Sequence, residues 1–104
     1  MIKLDAYVVD TLMPDLVGHD HQPSAFLVYL FLWRRTHAQG AEETAASLRE
    51  IAEGTGLSRR GVQDALARLA RRELIGVERE GITAVPRYRV HRPWLRWAAT
   101  DPPA

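Results

Sequence analysis

The order of local signals over residues 47–90 restricts the fold more than any other part of the chain. Ser47 can accept a hydrogen bond from the amide of Glu50 while the Glu50 side chain reaches back to the Ser47 amide, which is a capping box. An apolar stripe about two turns long follows at helical spacing, formed by Leu48, Ile51 and Ala52. The pattern predicts a short helix over residues 47–54 with Gly54 as its C-cap.

A second helix signal follows after a short turn that contains glycine. Ser58 is a suitable N-cap, and apolar residues recur on one face of the next stretch at Val62, Leu66 and Leu69. This pattern predicts a helix over residues 58–74. Two helices joined by a turn of this kind cross at a large angle, and we expect Leu57 to pack between them. The N-terminal half of the second helix then faces outward.

The outward face of this second helix carries side chains that suit contact with DNA. Arginine can hold guanine O6 and N7, glutamine can hold adenine N6 and N7, and a small apolar side chain can lie against a thymine methyl group. We therefore predict a DNA-contacting surface made by Ser58, Arg59, Arg60, Gln63, Asp64, Ala67, Arg68 and Arg71.

After the second helix the periodicity changes to that of a β-hairpin. Residues 75–91 alternate in character on both sides of a turn signal at Glu80-Gly81, and we expect the tip from Glu80 to Val85 to be mobile. Pro86 cannot donate to a sheet, so the returning strand must be an edge strand or begin there. Residues 44–46 are a candidate first strand that pairs with this hairpin. The arginines predicted on its rim to contact DNA are Arg79, Arg87 and Arg89.

Residues 24–92, about two thirds of the chain, resemble the bacterial winged helix-turn-helix family of small transcription regulators and plasmid or phage replication initiators. One departure is Gly61, where the family more often has threonine or another better helix former. The resemblance implies a mainly α fold with a small β-hairpin, a recognition helix in the major groove and a basic wing. The matching motifs are Ala25–Trp33, Ser47–Glu53, Gly56–Val62 and Ala65–Ile75, of which the third is the most specific.

The charge distribution favours the same interpretation. Residues 1–57 carry four Lys or Arg against eight Asp or Glu, a net charge of −4, whereas residues 58–97 carry ten Arg against four acids, a net charge of +6. A basic segment of this kind attracts a phosphate backbone. The alternative is a solvated charged face in a protein whose composition favours arginine over lysine, but that bias does not explain the clustering of ten arginines.

Length and composition indicate a single domain over residues 1–97 followed by a disordered tail over 98–104. The absence of cysteine excludes disulfides and cysteine zinc sites, and we expect no cofactor. We find no signal-peptide pattern, and the apolar run Ala25–Trp33 is about half of what a bilayer needs. These features favour a cytoplasmic, nucleoid-associated protein that contacts no membrane.

The apolar run predicts a core helix over residues 24–38 that is covered on more than one side. The candidate covers are the N-terminal extension over residues 1–23, the tail segment Trp94-Leu-Arg-Trp97 and a second copy of the chain. Bacterial operators are commonly palindromic, which favours a homodimer. Within the extension, the apolar and aromatic residues that we expect to pack on this helix are Tyr7, Val8, Val9, Leu12, Met13 and Leu16.

Other residues allow two interpretations each. His19-Asp-His21 resembles a metal-ligand pair, but such a loop is more often solvated. Tyr29 and Trp33 fit core packing better than a ligand pocket, and Trp94 and Trp97 are either a lid on the core or a dimer contact. Three functions remain: a sequence-specific DNA binder that acts as a regulator or replication initiator, a winged-helix protein-interaction module, and an enzyme. The chain lacks a nucleophile with a positioned base, so we expect no enzymatic activity.

Overall fold

The computed structural model describes residues 1–82 and 84–95, so the predicted tail and Trp97 lie outside the described residues. The predicted mainly α fold with a small sheet, a winged helix-turn-helix, is confirmed. Two π-helical stretches come first, followed by three α-helices, a 3₁₀ turn and three strands. Their bounds are Val8–Leu12 and Pro14–His19 (together the N-terminal segment), α1 Pro23–Arg35, the 3₁₀ turn His37–Gln39, β1 Glu43–Ala45, α2 Leu48–Thr55, α3 Arg59–Arg71, β2 Ile75–Glu78 and β3 Arg87–Val90.

Helix α1 is the centre of the core. It begins with Pro23 at its first turn, where a missing amide costs nothing, and ends at Arg35 because Thr36 leaves the helical conformation with φ −120° and ψ −97°. The predicted helix extended to residue 38 and is therefore three residues too long. Its buried residues are Ala25, Phe26, Val28, Tyr29, Leu32 and Trp33, and they pack against α2, α3 and the N-terminal segment.

The three strands form one antiparallel sheet in the order β1-β3-β2. β3 lies in the middle of the sheet, so it is not an edge strand. It begins directly after Pro86, which is the other alternative that the sequence allowed. The predicted first strand exists, one residue earlier than expected, and pairs Glu43 with Arg89 and Ala45 with Arg87. Tyr88 and Val90 are buried, whereas the arginines that alternate with them are exposed.

The C-terminal end of α2 differs from the prediction. The capping box at Ser47 is present, with both of its hydrogen bonds, but the helix continues through Gly54 to Thr55. The C-cap is Gly56, whose φ of 80° lies in the left-handed region that glycine tolerates. Gly54 has another role, because a Cβ placed there would lie 2.2 Å from Cε2 of Phe31. It therefore allows α2 to approach α1 closely.

Helix α3 ends at Arg71, three residues before the predicted end. Glu73 adopts a left-handed φ of 58°, its amide donates to the carbonyl of Ala70, and the amide of Leu74 donates to that of Leu69. These two bonds form a Schellman motif, which closes the helix and turns the chain into β2. The amphipathic pattern of the sequence continues past this point, so it did not reveal the helix end.

Two of the three candidate covers of α1 are present. Val8, Leu12 and Leu16 are buried in the core that contains α1, whereas Val9 and Met13, which were also expected to pack there, are exposed. Trp94 is the lid: its ring stacks on Tyr7 at 4.7 Å between centroids and lies 6.5 Å from the ring of Trp33. Two interactions hold Trp94 in place: the ion pair between Asp5 and Arg92, and a hydrogen bond of 2.8 Å from the Trp94 indole to Asp5.

Within the described ranges, no helix is long and apolar enough to cross a membrane.

Candidate nucleic-acid interface

Helix α3 buries one face and leaves the predicted surface open. Val62, Ala65 and Leu69 are fully buried, as expected for residues spaced by three and four on a helix. Leu57, in the turn between α2 and α3, packs against the core as expected. The opposite face exposes Arg59, Arg60, Gln63, Asp64, Ala67 and Arg71, and half buries Arg68. The structure therefore brings these predicted residues of α3 together on one side of the molecule.

Ser58 lies at the start of this surface and caps α3. Its Oγ accepts a hydrogen bond of 3.0 Å from the amide of Gly61. A Cβ at Gly61 would lie only 3.2 Å from that same oxygen, which is closer than most such contacts. A side chain at position 61 would therefore need a small shift of the Ser58 hydroxyl.

The arginines differ in whether a carboxylate lies close to the guanidinium group. Six of those the structure describes lie within 3.3 Å of a carboxylate oxygen: Arg35, Arg49, Arg72, Arg87, Arg89 and Arg92. Arg60 has only a long contact of 3.9 Å with Asp64. In residues 1–82 and 84–95 no carboxylate partner is found for Arg34, Arg59, Arg68, Arg71 and Arg79. Three of those five lie on α3, so the uncompensated positive charge is concentrated there.

The wing differs from the expectation that all three of its arginines are available for phosphate. Arg87 donates to Glu43 at 2.9 and 3.1 Å, and Arg89 donates to Glu42 at 3.0 Å and to Glu43 at 3.3 Å. The cause is the pairing of β1 with β3, which places an acidic strand beside a basic one. Of the three wing arginines, only Arg79 has no carboxylate partner among the described residues.

The N-terminal segment and the residues after it also contact α3, which sequence reasoning missed. Arg68 Nε donates to the Gln22 side-chain oxygen at 3.1 Å. Arg72 donates to Asp20 at 3.0 Å and also to Asp15. These partners are 46 to 57 residues apart in sequence, and no local pattern indicates them.

His19 and His21 are both exposed, in line with the preferred solvated interpretation, and His19 belongs to a cluster that does not include His21. Asp15, His19 and Asp20 come together, but the guanidinium of Arg72 already supplies positive charge to both carboxylates. Burial alone would raise the pKa of Asp20, yet the hydrogen bond with His19 and the charges of Arg72 and Arg68 hold that pKa below its ordinary value. The cluster therefore joins the N-terminal segment to α3 as an ion pair.

The aromatic residues of α1 belong to the core, as the preferred interpretation had it. The Tyr29 hydroxyl donates to the carbonyl of His91 at 2.8 Å, and the Trp33 indole donates to the carbonyl of Lys3. Burial raises the pKa of the Tyr29 phenol well above its ordinary value. Both rings thus hold the two ends of the described chain against α1.

Comparison with known proteins agrees with this geometry. The family model that matches the chain is described as a helix-turn-helix domain and covers residues 22–75, just over half of the sequence. The matched segment contains α1, β1, α2 and α3. The searches of curated proteins and of solved structures each gave no match.

Proposed function

The chain belongs to the helix-turn-helix domain family, and from this membership we propose that it binds double-stranded DNA sequence-specifically as a transcription regulator. The observation that carries the proposal is the outward face of α3, where arginines that have no close carboxylate partner among the described residues stand beside an exposed glutamine. A buried or neutralised recognition helix would not have left these groups exposed to solvent.

The position of each residue along α3 suggests its role. Arg59, Arg60 and Gln63, in the first two turns, are assigned to base edges in the major groove, because the N-terminal part of a recognition helix enters deepest. Asp64 can accept from a cytosine amino group, and Ala67 can lie against a thymine methyl group. Arg68 and Arg71, near the end of α3, are assigned to phosphates that flank the groove.

On the wing, Arg79 is the phosphate contact we favour. Arg87 and Arg89 are already paired with Glu43 and Glu42, so contact with DNA would first require them to give up these partners. This cost is small for exposed pairs, at about 1 kcal/mol or less each, but it removes most of the gain from a new phosphate contact.

We also propose that the protein acts as a homodimer on two half-sites about 34 Å apart, the spacing of one turn of the duplex. A role as the DNA-binding module of a replication initiator fits the same α3 surface. The symmetry of the bound sequence distinguishes the two, because a repressor site read by a two-fold dimer is palindromic.

The test begins with selection of genomic DNA fragments by the purified chain, followed by sequencing. We then expect the double variant Arg60→Ala, Gln63→Ala to lose preference for the selected site, by about 1–3 kcal/mol for each base contact removed. Arg49→Ala is the matched control, because Arg49 is exposed but paired with Glu53 on α2, and it should retain the preference. Equal preference in the double variant and the wild type would contradict the assignment of these base contacts.

A protein-interaction module is the second candidate. It is favoured by the ion pairs on the wing, because they neutralise Arg87 and Arg89 and so weaken attraction to phosphate. Ionic strength separates the two functions. Duplex binding by the first should weaken linearly in a plot of the logarithm of affinity against that of salt concentration. Absence of duplex binding even at low salt would favour the second.

A further inference from the structure

A groove of about 400 Å³ lies between the start of α1 and the outward face of α3. One wall is formed by His21, Gln22 and Ser24, and the opposite wall contains Gly61, Arg68 and Arg71. The groove thus joins the recognition helix to residues that precede α1, a part of the chain to which the proposed function assigns no role.

The two arginines in this groove keep their charge. Arg68 Nε is held at 3.1 Å by the side-chain amide oxygen of Gln22, which is neutral. Arg71 is exposed and has no carboxylate partner in the residues that the structure describes. Arg72 contrasts with both, because Asp15 and Asp20 neutralise it. The hydrogen-bond partner of Arg68 inside the groove is therefore neutral and the ion-pair partners belong to Arg72 outside it, although the charge of Arg68 also acts on Asp20.

One acidic group also lines the groove and opposes the binding of anions. Asp64 is exposed, and its carboxylate lies 3.9 Å from Arg60 Nε. A single carboxylate against two guanidinium groups leaves the groove cationic. The positive charge of the neighbouring Arg60 also offsets part of the negative charge of Asp64.

We propose that this groove seats a backbone phosphate of the duplex that α3 contacts, and that Gln22 positions Arg68 for it. This inference rests on the proposed function. Guanidinium has five donors, and fixing Nε on Gln22 leaves the terminal nitrogens of Arg68 for phosphate oxygens. Arg71 lies three residues later on the same helix, close enough for both side chains to meet one phosphate group. The DNA footprint then extends from α3 onto residues 21–24.

The experiment measures binding of the full chain to a mixed-sequence duplex about two helical turns long, by fluorescence anisotropy at several salt concentrations. Gln22→Glu places a carboxylate beside the Arg68 guanidinium and so neutralises its charge. The carboxylate still accepts a hydrogen bond from Arg68 Nε, so the fold should persist. Arg71→Gln removes the second charge by an independent route. One lost phosphate contact should lower the slope of log affinity against log salt by about 0.9, and affinity by about eightfold at 0.1 M salt.

Gln39→Glu is the matched control for charge, because Gln39 is exposed in the turn after α1 and outside the groove. It should leave the slope unchanged, and thermal unfolding followed by circular dichroism verifies that every variant is folded. Wild-type slopes in both Gln22→Glu and Arg71→Gln, with a reduced slope in Arg79→Gln, would overturn the phosphate groove but not DNA binding. If the wild-type chain shows no salt-dependent binding, the proposed function itself fails and the groove proposal fails with it.

Discussion

Gly54 lies where α2 crosses the ring of Phe31, and there is no room for a side chain at this position. An alanine Cβ would overlap the ring edge, since the nearest two ring atoms lie at 2.2 and 2.8 Å. Overpacking of this kind costs about 1–3 kcal/mol, and the better helix propensity of alanine offsets about 1 kcal/mol of it. We expect Gly54→Ala to lower the free energy of unfolding by about 1 kcal/mol, measured by urea denaturation.

Gly18→Ala provides the control for this prediction. Gly18 also lies in a helical stretch, but a Cβ there meets nothing within 4 Å. Its substitution should leave stability unchanged or raise it by up to about 1 kcal/mol. Equal effects of the two substitutions would show that the contact with Phe31 is unimportant.

Gly54 also shows what local sequence can and cannot predict. Gly54 and Gly56 are both plausible helix ends, and only the left-handed φ of Gly56 identifies the C-cap. Phe31 precedes Gly54 by more than twenty positions, so the contact that needs a glycine there is set by the packing of α1 on α2. Periodicity within α2 carries no information about it.

At the level of elements, Ser58 combines a structural and a surface position at the start of α3. Ser58→Ala removes the cap on Gly61 and should lower the free energy of unfolding by about 1 kcal/mol. Ser58→Asp retains a capping oxygen, and a negative charge suits the N-terminus of a helix, so stability should be retained. The added charge faces the proposed duplex, and we expect affinity to fall by at least about fivefold.

Urea denaturation and anisotropy on the same preparations separate these effects. Ser47→Asp is the control for the chemistry of the substitution, because Ser47 caps α2 in the same way. It should retain DNA affinity. A stable Ser58→Asp variant with wild-type affinity would be inconsistent with the start of α3 facing DNA.

Helix starts were easier to predict than helix ends, for a physical reason. Ser47 and Ser58 cap through their own side chains and a backbone amide three residues later, so the whole interaction lies within four residues. Helix α3 ends through the left-handed backbone of Glu73, a conformation that glutamate rarely adopts and that no composition rule indicates. The surface of α3 was accordingly predicted as far as Arg71, but the end of the helix was placed three residues too late.

For the whole molecule, the contrast between an acidic and a basic half overstated the charge available for DNA. Acids of the first half pair with arginines of the second, at Asp5 with Arg92, Asp20 with Arg72 and Glu43 with Arg87. The sequence predicts the sign of each half but not this pairing, because it depends on tertiary contacts between the two halves. Within the part of the chain that the structure describes, the arginines without such partners, three of which lie on α3, remain as candidates for phosphate.

These pairs make stability depend on acid pH. Burial alone would raise the pKa of Asp5, but hydrogen bonds from Arg92 and Trp94 hold it below its ordinary value, and the pKa of Asp20 is also lowered. A carboxyl group with a lowered pKa in the folded state stabilises the fold above its unfolded pKa of about 3.9. We therefore expect the free energy of unfolding to fall as pH decreases below about 4, in urea titrations between pH 3 and 7.

Asp20→Asn tests the source of this dependence, because its side chain is only 5% exposed and contacts Arg72. The variant should be less stable than wild type by about 1 kcal/mol at pH 7. The difference should narrow as pH falls through the range where the wild-type carboxyl group takes up its proton. A constant difference at all pH values would mean that protonation of Asp20 does not contribute.

The clamp of Asp5 on Arg92 and Trp94 has a consequence for biosynthesis. A nascent chain emerges from its N-terminus, so Asp5 and Tyr7 are outside the ribosome long before Trp94 is made. Until then the ring of Trp33 lacks its cover, and its apolar surface is open to water or to a chaperone. The fold therefore needs residue 94, and it is complete only after translation has passed that residue.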